Sequence, residues 1–484
     1  MPSQGCVPSS WNQLHFPAKI RFCFAFCIAL NIVIAFRPSI AYGRLESNFP
    51  DTKSQSNRIQ ASPAHSPNRD AATKAYSEAE TLVKQGTEKA TRRAIKKYEL
   101  AAKLYDEVGQ KMQAGLALRA AGNVAIRLGE YQIALDYLGR AFSIFQLLRD
   151  KSNELDGGPA ISAGTRILEE IGGVYRLLGD LRSALKYYER AIAFDNLPIV
   201  PSKNDSVFTR YLIAEVYSDL GDYSKAIDSY EDYLTFLRSN MQTVKKYLGQ
   251  KGEIQGVYLQ SCVLNNLALV YFRQGETAKA QEYLMHAIQL HKATGEKDNS
   301  VLLNNLSKIF SKSGNYWQAL AYLQEALKVR QVASYMDRNS EARLFHNLML
   351  VWKDIRQPRL AVFYGKLAVN IYQGIRNNIA GLQQELQRSF LKSREITYRE
   401  LADILIGMGR LPEAQQVLDL LKEEEYFSYL RRDHKESDAV KGRVTLTLTE
   451  ARLEKEYEAI ADRITAIGKA LEETRYITTT AQAE

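Results

Sequence analysis

One short pattern of glycine, alanine and bulky residues is written six times in full along this chain. Gly129, Ala134, Leu138 and Ala141 form the first copy, with offsets of five, nine and twelve residues from the glycine. The same offsets return at Gly179, Ala184, Tyr188, Ala191; at Gly221, Ala226, Tyr230, Tyr233; and at Gly275, Ala280, Leu284, Ala287. Gly314, Ala319, Leu323, Ala326 and Gly409, Ala414, Leu418, Leu421 complete the series. Two copies are partial: Ala94, Tyr98, Ala101 near the start, and Ala361, Gly365, Ala368, where Arg356 stands in the glycine position. Four residues before the turn position a bulky side chain recurs, as in Tyr175, Tyr217, Tyr271, Phe310, Trp352 and Leu405.

Each offset has a physical cause. A glycine ends one helix and turns the chain with positive φ. The alanine on the next helix must be small, because the preceding helix crosses against it, and the bulky residue four positions later shares its face. One such hairpin cannot bury its apolar side alone, so hairpins stack and contacts are expected only between neighbours. The pattern resembles the tetratricopeptide repeat (TPR) family. The resemblance implies an all-α fold, a TPR α–α superhelix (solenoid) of about eight helical pairs.

The ends of the chain have a different character. Phe22–Phe36 is an uncharged apolar run preceded by Lys19 and Arg21 and followed by Arg37-Pro38, with small residues Ser39 and Ala41 beyond. That is the layout of a secretory signal, and the run is short for a membrane span. A secreted or periplasmic location in a bacterial envelope is therefore expected, with an uncleaved N-terminal membrane anchor as the alternative. Cleavage after Ala41 removes Lys19, Arg21 and Arg37 and no acid, taking the formal charge from +9 to +6. Basic and acidic residues are interleaved, which reads as solvated surface and not as a nucleic-acid track. Cys6, Cys23 and Cys27 fall in the signal, leaving Cys262 as the one mature thiol and no disulfide framework.

The expected organisation is a signal peptide at 1–41, a disordered linker at 42–70, the repeat array at 71–426, a second linker at 427–446, an amphipathic or coiled-coil helix at 447–476 and a disordered tail at 477–484. Turn glycines are spaced by 50, 42, 54 and 39 residues from Gly129 to Gly314, beyond the 34 of a minimal repeat. The excess is expected between one hairpin and the next, as loops at 153–164 and 196–205 and as extended helices at 235–259 and 373–399. Thr447 and Glu450 spell a capping box. After it Leu453, Tyr457, Ile460, Ile464, Ile467 and Leu471 follow a four-three spacing, an a/d seam of about three heptads. Such a seam either pairs with a partner helix, self-association included, or packs back on the last repeat.

The segment Phe363-Tyr364-Gly365-Lys366-Leu367-Ala368-Val369-Asn370, with Leu386–Leu391 and Thr397–Asp403, resembles the last repeats of bacterial proteins that carry a C-terminal CHAT domain, a caspase-like cysteine peptidase fold. Leu418–Phe427 looks like the segment that leads out of their array, and the tail helix resembles the connector before the peptidase. The resemblance spans roughly 71–477. In that family a peptidase with a catalytic His and Cys follows the connector, whereas this sequence runs only to Glu484, has no cysteine after Cys262, and has His434 as its last histidine. No enzyme activity is expected, and Cys262, on the first helix of a repeat with no base spelled beside it, is expected to be structural. The six histidines show no metal-ligand spacing, and no cofactor is expected.

The TPR resemblance places the first helix of each pair along a concave groove. Its inward positions are Arg119, Asn123 and Arg127 in the second repeat, Asn265, Asn266 and Arg273 in the fifth, and Asn304, Lys308 and Lys312 in the sixth. Carboxamides hydrogen-bond a peptide backbone in either direction and Arg or Lys holds a carboxylate, so these are candidate partner-binding residues. Solvated surface polarity, or contacts within the array, are the other readings of the same residues. The expected function is a scaffold that binds a peptide or protein partner. The alternative is the regulatory or sensor half of a split CHAT-type peptidase, its partner a separate caspase-like chain.

Overall fold

In the computed structural model, residues 67–151, 158–195, 207–296, 298–332, 337–430 and 442–452 are described. They are helical almost throughout, in eight antiparallel pairs. Helices α1 (Pro67–Lys84) and α2 (Glu88–Glu107) make the first pair, α3 (Lys111–Leu128) and α4 (Tyr131–Lys151) the second, and α5 (Gly158–Leu177) and α6 (Leu181–Asp195) the third. The fourth begins with α7 (Val207–Leu220). Helix α8 (Tyr223–Arg273) is two helices joined at Gly249, whose φ of 62° and ψ of −156° break the helical path. Its first part closes the fourth pair and its second part opens the fifth, which α9 (Thr277–Ala293) completes. Helices α10 (Ser300–Lys312) and α11 (Tyr316–Val332) form the sixth pair, α12 (Arg338–Asp354) and α13 (Pro358–Asn378) the seventh. A short helix α14 (Gln384–Lys392) precedes the eighth pair, α15 (Glu395–Gly407) and α16 (Leu411–Leu430).

The recurring bulky residue and glycine form one device. The residue after each turn donates its N–H to the carbonyl four positions before the turn. This bond is 2.9 Å from Asp180 to Tyr175, Asp222 to Tyr217, Glu276 to Tyr271, Asn315 to Phe310, Gln357 to Trp352 and Arg410 to Leu405. It is the six-to-one bond of a Schellman motif, which requires a left-handed residue between its ends. Gly179, Gly221, Gly275, Gly314 and Gly409 supply that residue with φ of 72° to 88°, and exposed Arg356 is forced to φ 62° at the same place. On the far side of the turn Ala134, Ala184, Ala226, Ala280, Ala319 and Ala361 are all fully buried.

The array differs from its sequence-based expectation in several respects: 153–164, expected as a loop, is helical from Gly158, and 235–259, expected as one extended helix, is broken at Gly249. Helix α1 starts at Pro67, inside the stretch expected as linker, with the proline in the first turn, where its missing N–H is not needed. The 373–399 stretch is not one extended helix: α13 ends at Asn378 and α14 is interposed. Residues 442–446, expected as linker, run against the last two pairs with Val444 buried. Contacts are also not confined to neighbours. Rotation accumulates from pair to pair, the seventh pair comes back to the first two, and α14 comes back to the third.

Arg338 on α12 pairs with Glu88 on α2. A Cβ at Gly129 would lie 2.6 Å from Ile375 on α13, one at Gly179 would lie 2.7 Å from the Ser389 carbonyl on α14, and one at Gly381 would strike Gln132. Two of the turn glycines thus also serve as close-approach points for the far end of the array. The signal, the seam residues Leu453–Leu471 and the 477–484 tail lie outside the described residues.

The left-handed conformation of Arg356 costs more than glycine would, so Arg356→Gly is expected to stabilise the chain by about 0.5–1 kcal/mol. Urea unfolding midpoints check this; an unchanged or lower midpoint would show that the Arg356 side chain contributes something the turn needs.

Candidate functional site: the concave face

The first helices of the pairs, α3, α5, α7, the second half of α8, α10 and α12, are linked by a ladder of polar bonds. At one end Arg119 reaches Glu170 through Nε at 2.9 Å, and Asn123 donates to the same carboxylate at 3.1 Å. Beside it Glu169 is buried; burial pushes its carboxyl up to about 7, offset in part by the Thr209 hydroxyl, which donates at 2.6 Å. Arg176 then pairs with Glu215 and Asp219, each at 3.0 Å. Asn266 donates to Glu215 at 3.1 Å and to the Tyr211 hydroxyl at 3.0 Å. Asn265 donates to Asn266 at 3.1 Å and accepts from Asn305 at 2.8 Å. Asn347 donates to Asn304 at 2.8 Å, and Arg273 reaches back to the Ser218 carbonyl at 2.6 Å and to Asp219 at 3.2 Å.

Six of the nine groove residues expected from sequence are therefore bonded between repeats: Arg119, Asn123, Asn265, Asn266, Arg273 and Asn304. Arg127 is buried and Lys312 is exposed. The sequence reading missed the acceptors Glu170, Glu215 and Asp219 and the amide Asn347. Their signal was present: the partners across the ladder lie 40 to 55 residues apart, close to one repeat length.

Lys308 is the exception. No carboxylate pairs with it and no hydrogen bond involves it among the described residues. Burial lowers its ammonium to about 8, and the charges of Arg343 and Arg273 push in the same direction. Arg343, exposed on α12, donates to the Ser340 hydroxyl at 3.0 Å and has no acidic partner among the described residues. Its charge acts on Lys308, Glu215, Tyr372, Arg394 and Tyr131 alike, which sets it toward the interior of the curled array. His346, next along α12, is lowered to about 4 by burial and by Lys308, so it is neutral at physiological pH. Tyr131, fully buried where the seventh pair meets the second, has a hydroxyl with no hydrogen-bond partner. Buried polar groups are normally satisfied, and unpartnered ones are where a ligand makes a difference.

Cys262 lies on the fifth pair. Burial pushes its thiol up to about 12, with Tyr258 opposing only in part. A nucleophilic cysteine needs a lowered pKa, and this one is raised. Among the described residues no cluster of three or more His, Cys, Asp or Glu is placed to hold a metal. No described helix is long and apolar enough to cross a membrane.

With these turns and crossings in view, the tetratricopeptide-repeat family model matches residues 165–239 and 259–331. These two stretches carry tetratricopeptide repeats. No curated protein matches the chain. Solved structures similar to it include BtubC (BKLC) from P. vanneervenii, at 18% identity over 58% of this chain and 97% of that one, with a TM-score of 0.33. The apo form of RapI shares 14% identity over 65% of this chain and 98% of that one, with a TM-score of 0.36. The apo form of the quorum sensor NprR from B. thuringiensis shares 14% over 84% of this TPR chain and 99% of that one, with a TM-score of 0.45.

Asn305→Ala leaves the buried Asn265 carbonyl oxygen without its donor and is expected to cost about 1–3 kcal/mol, read as a lowered denaturation midpoint. The Cys262 thiol is expected to react with iodoacetamide at pH 7 far more slowly than free cysteine, since a pKa of about 12 leaves almost no thiolate. Labelling of Cys262 itself, read by peptide mapping, at the free-cysteine rate would contradict the burial described.

Proposed function

We propose that this chain is a non-enzymatic interaction scaffold that holds a peptide, or an extended segment of a protein partner, on the concave face of its repeats. The TPR fold commonly mediates protein–protein interaction. One observation carries the finer reading: half-buried Lys308 on α10 feels the charges of Arg343 and Arg273 and has no carboxylate paired with it among the described residues. Burying a cation without a counter-charge is costly, so an acidic group delivered there by a ligand gains a partner that the array itself does not fill.

The ligand is thus a peptide segment with an acidic side chain or terminus. The apolar run Phe22–Phe36, flanked by Lys19, Arg21 and Arg37, supports action outside the cytoplasm of a bacterial cell.

Fluorescence polarisation with labelled ten-residue peptides, one acidic set and one uncharged set, tests the reading. Acidic peptides are expected to bind more tightly, and Lys308→Met to remove the preference. Only charged Lys308 attracts an acid, and its pKa in the free chain is about 8. Affinity is therefore expected to hold below that pH and to fall as pH rises through it. Equal binding of both sets, or a Lys308→Met variant that keeps the preference, would sink the reading.

A further inference from the structure

The second helices of the last two pairs, α13 and α16, carry a different kind of site. Lys366 is fully buried on α13. Its ammonium donates to Glu413 Oε2 at 2.6 Å, to Glu450 Oε2 at 2.7 Å and to the Thr445 carbonyl at 2.8 Å. Arg410 reaches Glu413 at 2.6 Å and Glu450 at 2.9 Å. One turn along α13, Asn370 takes both backbone groups of Val444: its Nδ2 donates to the carbonyl at 3.1 Å and its Oδ1 accepts the N–H at 2.9 Å. A neighbouring strand would satisfy an extended residue in the same way. Gln416 donates to the Arg443 carbonyl at 3.3 Å, and the Val444 side chain is 1% exposed. The segment ends in a capping box, Thr447 N–H to Glu450 Oε2 at 2.7 Å and Glu450 N–H to Thr447 Oγ1 at 3.2 Å, as a helix begins at Leu448.

These contacts sort as recognition contacts do. Asn370, Gln416 and the Lys366 bond to the Thr445 carbonyl engage main-chain atoms and are indifferent to sequence. Val444 is an apolar anchor. Glu450 is read as a charge. Without residues 443–450, Lys366 and Arg410 would face Glu413 alone, two cations against one carboxylate. Glu450 brings the second carboxylate and balances the site. Because Glu413 stays behind, lifting the segment away leaves neither cation isolated, so this contact can separate where a lone buried ion pair would resist.

We propose that the cleft between α13 and α16 is a second peptide-binding site, distinct from the concave face, and that residues 443–450 are its intramolecular ligand. The ligand chemistry it selects is an extended backbone with one small apolar side chain, followed six residues later by a carboxylate that caps a helix, the arrangement Val444-x-x-Thr447-x-x-Glu450. Docking there fixes where the C-terminal part of the chain leaves the array.

A protease recognition sequence placed between Leu430 and Gly442 of the full-length chain turns the segment into a ligand in trans once cut. The fragment that starts at residue 442 is expected to co-elute with the array on gel filtration after cutting. Glu450→Gln and Val444→Asp, both on the ligand side and harmless to the folding of the array, are each expected to weaken retention about tenfold or more. Separation of the fragment from the cut parent protein would overturn the proposal. So would retention undiminished in both variants, which would show that another part of the fragment does the holding.

Discussion

Everything in this molecule depends on one turn. A left-handed residue, closed by a 2.9 Å bond from the N–H of the residue after it to the carbonyl four positions before it, fixes the angle at which each helix leaves its partner. The fully buried alanine five residues on then sets how closely the two helices cross. With angle and distance both fixed locally, each pair repeats the geometry of the last, and curvature follows with no further instruction. The lengthened fourth and fifth pairs, joined at Gly249, add helix without disturbing either constraint.

Much of this was legible because the constraint is local. The glycine, alanine and bulky offsets place the eight pairs, and even Arg356 is readable as a glycine position filled by the wrong residue. The insertion at α14 was not legible: Gln384–Lys392 has a helical sequence, and only Gly381 and Gln383 mark that the chain pauses before it. The return of the seventh pair to the second was hidden for a deeper reason. It is the sum of many small rotations, and no single residue encodes it. Ile375 reads as an ordinary core position until Gly129 is found beneath it.

The groove residues show where sequence reasoning stops. Arg119, Asn123, Asn265 and Asn266 have the chemistry of peptide-binding side chains, and periodicity placed them on one face. Whether such a face meets a ligand or the next repeat depends on the partner across the interface. Across from Arg119 and Asn266 stand Glu170 and Glu215 of the adjoining repeats. Lys308 stands out only by comparison: it is spaced like its neighbours along α10, yet the adjoining repeats offer it arginine in place of a carboxylate.

An open solenoid frays from its ends, because the terminal pair touches one neighbour and is lost first. Here the array also touches itself across its length. Glu88 near the start meets Arg338, and Gly179 lies under the Ser389 carbonyl of a helix some two hundred residues later. The array behaves as a clasped coil rather than a row of dominoes. Opening the clasp would shift the first pairs against the seventh in a single step, where an open row would shift only neighbours.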